Sequence, residues 1–178
     1  MALPQRIPRH RWGWTVRSGV PLGCILMLAL MSTLPLRMPH DLPVVPDLSL
    51  MAVFYWTIYR PDLLPISALF VIGLIEDCVT GGSLGVTSLM LVGTHGMLLG
   101  QRRVFLGKPF ALTWWGFALV ATVASILRYL IACWQIGGFI SATQALSQYI
   151  ATLVLFPLIV ALCVGLHRRL VPTTGAYL

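Results

Sequence analysis

Charged side chains are scarce in this sequence, and acidic ones are the scarcest. Of 178 residues only 10% are charged, and just five are Asp or Glu. A soluble domain carries roughly 25% charged residues, so the composition excludes an ordinary soluble protein. The chain is instead 58% hydrophobic with a mean hydropathy of +0.88, and both values are typical of a membrane protein.

Several motifs of catalysis and metal binding are also missing. The sequence has no H-E-x-x-H pattern, no Walker loop, no G-x-G-x-x-G pattern and no C-x-x-C pair among its four cysteines. We therefore expect no enzyme activity, no cofactor and no metal site, although a catalytic dyad formed between helices is left open. The cysteines are expected to pack as small hydrophobic side chains.

Basic residues outnumber acidic ones by 12 to 5, which gives a net charge of +7. Such a balance can indicate binding to nucleic acid. A membrane protein offers another cause, because Lys and Arg resist translocation and stay in cytoplasmic segments. We expect the phospholipid bilayer to be the partner of these cations, and no nucleic acid.

Hydrophobic runs separated by Gly, Pro and basic residues predict an all-α membrane protein, a bundle of about six transmembrane helices. The predicted helices span residues 20–36, 47–59, 63–79, 84–99, 110–134 and 143–165. The second is short, since a spanning helix needs about 17 to 25 residues, so we expect it to be tilted, interfacial or in a thinned bilayer. Asp47 stands at its start, where a carboxylate meets the positive end of the helix dipole.

The positions of Lys and Arg predict the orientation. Ten of the twelve fall in the N-terminal arm, the second and fourth connections and the tail, among them Arg60, Arg102, Arg103, Lys108, Arg168 and Arg169. With six spans these segments share one side, which the positive-inside rule makes the cytoplasm. We expect a basic cytoplasmic arm over residues 1–19, a transmembrane bundle over 20–167 and a cytoplasmic tail over 168–178.

Aromatic residues agree with this arrangement. Tyr and Trp prefer the membrane–water interface, and several stand near the predicted helix ends. We expect bilayer anchoring from Tyr55, Trp56, Tyr59, Trp114, Trp115 and Trp134.

Glu76 and Asp77 stand near the outer end of the third predicted helix, at about the depth of Arg128 in the fifth. A lone charge at a helix centre costs about 2.5 to 3.5 kcal/mol on insertion scales, so we predict that Arg128 pairs with Asp77, Glu76 or both. Asp77 shares a stripe with Phe70 and Gly73 and is expected inside the bundle, whereas Glu76 can reach the outer aqueous layer. The cluster can be an ordering ion pair, a proton or ion relay, or a contact with a partner chain.

Small and polar residues mark the faces of other helices. Gly73 invites close helix approach, and we predict a helix-docking face from Gly73, Gly93, Gly96 and Gly100. The opposite side of the fourth helix carries Thr87, Ser88, Thr94 and His95, with the histidine expected to be hydrogen-bonded and neutral. In the sixth helix we expect interhelical hydrogen bonds from Gln144, Gln148 and Thr152.

Residues 46–85 resemble the rod shape-determining protein MreD family in its proteobacterial form. The resemblance lies in an ordered series of motifs spread over about forty residues. The matching positions are Pro46-Asp47-Leu48, Tyr55-Trp56, Arg60-Pro61, Phe70, Gly73-Leu74, Asp77 and Leu84-Gly85. Ser83 departs from the family, in which Pro often precedes Leu-Gly.

The resemblance implies a multi-pass protein of the bacterial inner membrane that acts in the rod complex, or elongasome. It implies association with MreC, a bitopic membrane protein, and through it with MreB filaments and with the peptidoglycan synthases, RodA and its transpeptidase. The implied fold is similar to the substrate-binding subunits of ECF vitamin transporters. An interaction scaffold is thus the expected function, and a small-molecule-binding subunit of an ECF-type transporter is the alternative.

Overall fold

The computed structural model describes residues 12–33, 36–37, 43–44, 46–81, 83–105, 109–138 and 142–170. Within these ranges the chain forms six α-helices, one 3₁₀ turn and one antiparallel pair of two-residue strands. The helices are α1 Trp12–Ser32, α2 Leu48–Tyr59, α3 Ile66–Thr80, α4 Val86–Phe105, α5 Phe110–Ile136 and α6 Ala142–Leu170. The strands are β1 Leu36–Arg37 and β2 Pro43–Val44, and the 3₁₀ turn is Pro61–Leu63.

α2 is the central helix of the bundle. Eleven of its twelve residues are buried, and it packs against α1, α4, α5 and α6. At 1.5 Å per residue it is only about 18 Å long, against roughly 30 Å for the hydrocarbon core of a bilayer. Its short length agrees with its place inside the bundle, where other helices surround it.

Aromatic rings fill the space around the middle of α2. The ring centroid of Phe54 lies 5.3 Å from that of Phe117 and 5.8 Å from that of Phe156, both edge to face. Phe117 and Phe156 stack on each other at 4.0 Å. These contacts join α2, α5 and α6 in one core.

The expected anchoring by Tyr55 and Trp56 is wrong, because both lie inside the bundle. Trp56 is fully buried and stacks on His167 of α6 with 5.4 Å between ring centroids. Trp115 and Trp134 are 67% and 85% exposed. They point away from the core, as an anchor would.

The outer faces of α5 and α6 are apolar. Exposed side chains follow one another at helical spacing along α5 (Leu112, Trp115, Leu119, Val123, Ile126, Leu130) and along α6 (Leu146, Ile150, Val154, Leu158, Leu162). Soluble proteins rarely expose apolar surfaces of this extent. Within the described ranges, two helical segments can cross a membrane by length and composition, Phe110–Gln135 and Thr143–His167. Gly19–Ser32 and Leu48–Tyr59 are apolar but shorter.

Candidate functional site

A polar cavity of about 290 Å³ opens at one end of the bundle. The last turns of α1, α3 and α5 meet there with the first turns of α4 and α6 and with the residue that precedes α2. Its lining includes three of the five acidic residues of the chain and one arginine, together with hydroxyl and amide groups. The main polar residues are Ser32, Asp47, Glu76, Asp77, Arg128 and Gln148.

Arg128 forms its ion pair with Asp47. The predicted pairing of Arg128 with Asp77, Glu76 or both is therefore wrong. Nη1 of Arg128 lies 2.5 Å from Oδ1 of Asp47, and Nε2 of Gln148 donates to the same oxygen at 3.2 Å. The backbone N–H of Asp47 donates to Oγ1 of Thr152 at 3.2 Å. Asp47 makes no side-chain hydrogen bond to cap its own helix. It instead joins the entry of α2 to α5 and α6.

Asp77 is buried, as expected, and it holds the first turn of α4. Its Oδ2 accepts the backbone N–H of Gly85 at 2.7 Å, and its Oδ1 accepts that of Thr87 at 3.2 Å. A carboxylate is favourable at this position because helix N-termini present unpaired N–H groups and a partial positive charge. Gly85 has φ +94°, a backbone conformation that favours glycine.

Glu76 is buried as well, contrary to the expectation that it reaches the outer aqueous layer. Only 8% of its surface is exposed, because the last turn of α1 covers it and Ser32 Oγ donates to its Oε1 at 2.8 Å. Within the described part of the chain, Oε2 has no hydrogen-bond partner. Glu76 is therefore a buried acid with half of its carboxylate unused.

The motif residues of α3 build a tight hairpin with α4. A Cβ placed on Gly73 would lie 2.5 Å from the Cα of Ser88, and Ser88 Oγ donates to the backbone carbonyl of Phe70 at 3.0 Å. Asp77 also bonds to the start of α4. The motif residues from Phe70 to Gly85 are therefore spaced so that α3 and α4 contact each other directly. Close helix approach at Gly73 is therefore confirmed, but the helix is α4 of the same chain, so the predicted use of Gly73 for docking a partner helix is wrong.

The other three glycines of the predicted docking face lie at the surface. A Cβ on Gly93, Gly96 or Gly100 would meet nothing within 4 Å. Gly93 lines an apolar groove of about 290 Å³ between α4 and α5, together with Leu89, Met97, Val120, Val123 and Leu127.

The polar side of α4 faces inward, and His95 is hydrogen-bonded as expected. Ser88, Thr94 and His95 are buried, and Nδ1 of His95 lies 2.9 Å from Oγ1 of Thr57 on α2. On α6, Gln148 and Thr152 make the interhelical bonds to Asp47 described above, whereas Gln144 lines the cavity.

Residues 81–85, Gly-Gly-Ser-Leu-Gly, match the G-x-S-x-G spacing of a hydrolase nucleophile elbow, a pattern that the expectation of no enzyme activity missed. That motif requires a turn from a strand to a helix, whereas Ser83 lies between two helices, α3 and α4. Its Oγ donates to Oε1 of Gln135. The G-x-S-x-G residues therefore do not form a nucleophile elbow, because a helix rather than a strand precedes Ser83. Among the described residues, no group of three or more His, Cys, Asp and Glu side chains could hold a metal ion.

Two of the predicted basic residues, Arg60 and Arg102, lie at the opposite end of the bundle. Arg60 caps the C-terminus of α2, and Arg102 lies in the last turn of α4. The side chains of Arg103, Arg168 and Arg169, and all of Lys108, lie outside the described part of the structure, as does the arm before Trp12.

Neither a curated protein nor a solved structure matches the chain, so the expected similarity to ECF transporter subunits has no support. A family does match. The family model described as rod shape-determining protein MreD covers residues 18–165, which is most of the chain and includes the cavity, the groove and the α3–α4 hairpin. The chain belongs to the MreD family of rod shape-determining proteins.

Proposed function

We propose that the protein is an integral membrane scaffold of the rod complex that takes part in the control of cell shape. The family match over residues 18–165 carries this proposal. The apolar outer faces of α5 and α6 support a place in the membrane, since lipid-facing helices need no polar surface. The absence of an elbow context around Ser83 gives an enzyme function no support.

In the proposed arrangement both termini are cytoplasmic, the bundle is multi-pass and the polar cavity faces outward. The cavity is lined by the first turns of α4 and α6, so the C-terminal ends of these helices, with Arg102, Arg168 and Arg169, lie at the other end. That end is basic and the cavity end is acidic. The positive-inside rule then places the basic end in the cytoplasm, where each cation near anionic lipid contributes about 1 kcal/mol to membrane attraction.

The partner in this proposal is the transmembrane helix of an MreC-like bitopic protein. Through it the scaffold would reach MreB-like filaments and the RodA-type glycosyltransferase with its transpeptidase, and so lateral peptidoglycan synthesis. The groove between α4 and α5 supports a docked helix, because the exposed Gly93 leaves room for close backbone approach between helices in lipid.

Co-purification in detergent tests this proposal. The protein and its MreC-like partner are expressed together, and the recovered ratio is compared for wild type, Gly93→Leu and Gly165→Leu. Gly165 is the matched control, since it is also an exposed helical glycine with nothing within 4 Å of an added Cβ, and it is not part of the groove. Recovery should fall for Gly93→Leu alone. Failure of the wild type to recover the partner would refute the association, and equal recovery for both variants would refute the groove.

A further inference from the structure

We infer that the polar cavity binds a primary ammonium group, with the carboxylate of Glu76 as its anchor. This inference uses the geometry of the cavity, and only the choice between ligand sources rests on the proposed place in the membrane. It starts from the partners of the three carboxylates, because Asp47 has an ion-pair partner, Asp77 has both oxygens bonded and Glu76 has a buried oxygen without a partner in the described structure.

The carboxylate of Asp47 pairs with the guanidinium of Arg128, with 2.5 Å between Oδ1 and Nη1. The same Oδ1 accepts a hydrogen bond from Nε2 of Gln148. Asp77 uses both oxygens for the backbone N–H groups of Gly85 and Thr87. Glu76 accepts from the Ser32 hydroxyl at 2.8 Å, and Ser49 and the more distant Arg128 also act on its carboxylate. Its Oε2 has no hydrogen-bond partner in the described structure. A buried carboxylate oxygen without a partner is costly, so the cavity offers an unfilled place for a donor.

The charge of the lining selects a cationic donor. Among the described residues of the lining, three carboxylates face one guanidinium, and this excess of acid repels an anion. Clusters suited to a metal ion are absent from the described residues. An ammonium group carries three N–H donors, which suits one carboxylate oxygen and the neutral oxygens of Gln135 and Gln144, both part of the lining.

The size and the level of the cavity restrict the ligand further. At about 290 Å³ it stands at the lower end of the range of ligand cavities, roughly 300 to 1,000 Å³, so it suits a small amine or one headgroup. Trp134 is 85% exposed at the same end of α5, and exposed Trp is enriched at the level of lipid headgroups. The ammonium group therefore comes from a small soluble amine or from an ethanolamine headgroup.

The first experiment measures thermal unfolding of the purified full-length protein in detergent. Ethylammonium chloride is compared with tetramethylammonium chloride at equal ionic strength, because the second cation has no N–H donor. Ethylammonium alone should raise the unfolding midpoint. In Glu76→Gln, binding should weaken roughly tenfold to a hundredfold, the expected effect of losing one hydrogen bond to a charged group.

Asp62→Asn is the matched control, because Asp62 is an exposed acid at the other end of the bundle. It should keep the full response to ethylammonium. An equal response to both cations, or an undiminished response in Glu76→Gln, would overturn the inference.

A second variant keeps the inference testable if Glu76→Gln does not fold. Gln144→Lys places an ammonium group on the lining of the cavity, so it should occupy the site and abolish the response to ethylammonium. Ser67→Lys adds the same charge at an exposed position in the first turn of α3, away from the cavity, and should retain the response. If both variants still respond to ethylammonium, the inference is overturned.

Lipid nanodiscs distinguish the two sources of the ammonium group. Native mass spectrometry of protein released from phosphatidylethanolamine nanodiscs should show a retained lipid that Glu76→Gln loses, if the headgroup is the ligand. A response to ethylammonium without retained lipid assigns a soluble amine. The absence of both would refute the site.

Discussion

The carboxylate of Asp47 and the guanidinium of Arg128 lie 2.5 Å apart, although 81 residues separate them in the sequence. The pair joins the entry of the central helix α2 to the last turns of α5. Both side chains are largely shielded, with 14% and 30% of their surface exposed. Such a pair orders the polar end of the bundle, because either charge alone would lack its counter-ion.

A double-mutant cycle on Asp47 and Arg128 should show strong coupling. Asp47→Asn leaves the arginine without its counter-ion and should cost about 1.5 to 3 kcal/mol of stability, the range for hydrogen bonds to charged groups. Removing both charges with Asp47→Asn and Arg128→Gln should cost less than the sum of the single changes. Thermal or denaturant unfolding in detergent gives these values. The same cycle on Asp77 and Arg128 is the control, and stronger coupling there would contradict the assigned pair.

Asp77→Ala should destabilise the protein by about 1 to 2 kcal/mol, the usual cost of losing a helix cap. The alanine leaves the N–H groups of Gly85 and Thr87 without an acceptor. Unfolding of Asp77→Asn and Glu76→Gln provides the comparison. The first should lower stability more than the second, because Glu76 uses only part of its carboxylate. Equal stability of all three variants and wild type would remove Asp77 as the cap of α4.

Gly73→Ala and Gly93→Ala should have opposite effects although both glycines lie within helices. The added methyl on Gly73 would stand 2.5 Å from the Cα of Ser88, so α3 and α4 must separate, at about 1 to 3 kcal/mol for an overpacked core. At Gly93 the methyl meets nothing, and the change should gain about 0.5 to 1 kcal/mol from helix propensity. Unfolding midpoints of the two variants test this. A stable Gly73→Ala protein would show that the hairpin is loosely packed.

The hydrophobic runs predict the number and order of the helices well, because each run is long and ends at Gly, Pro or basic residues. The start of α5 at Phe110 agrees with the prediction. The prediction misses the end of α4, which continues to Phe105. Two arginines after Gly100 read as a loop, yet cations are favourable in the last turn of a helix.

The polar site was predicted only in part. Matching depths along the helices identifies Glu76, Asp77 and Arg128 as neighbours of one region, and all three line the cavity. The partner of Arg128 was missed because Asp47 lies before a helix, where its side chain was expected to cap α2. Only the packing of α5 and α6 around α2 shows that the carboxylate turns toward Arg128 and Gln148.

The burial of Glu76 could not be predicted from the sequence pattern either. Adjacent helix positions point about 100° apart, so the pattern predicts that one of Glu76 and Asp77 faces inward. Both are buried because two different neighbours cover them, α1 through Ser32 and the start of α4 through Gly85. A stripe on one helix carries no information about how many other helices pack around it.

Labelling of single cysteines tests the central claim that the acidic cavity faces outward and the basic end faces the cytoplasm. The four native cysteines are replaced by alanine, and Gln135→Cys at the cavity is compared with the exposed Asp62→Cys at the other end. In right-side-out membrane vesicles, an impermeant maleimide should label Gln135→Cys at once and Asp62→Cys only after the membrane is permeabilised. Labelling in the reverse order would contradict the account.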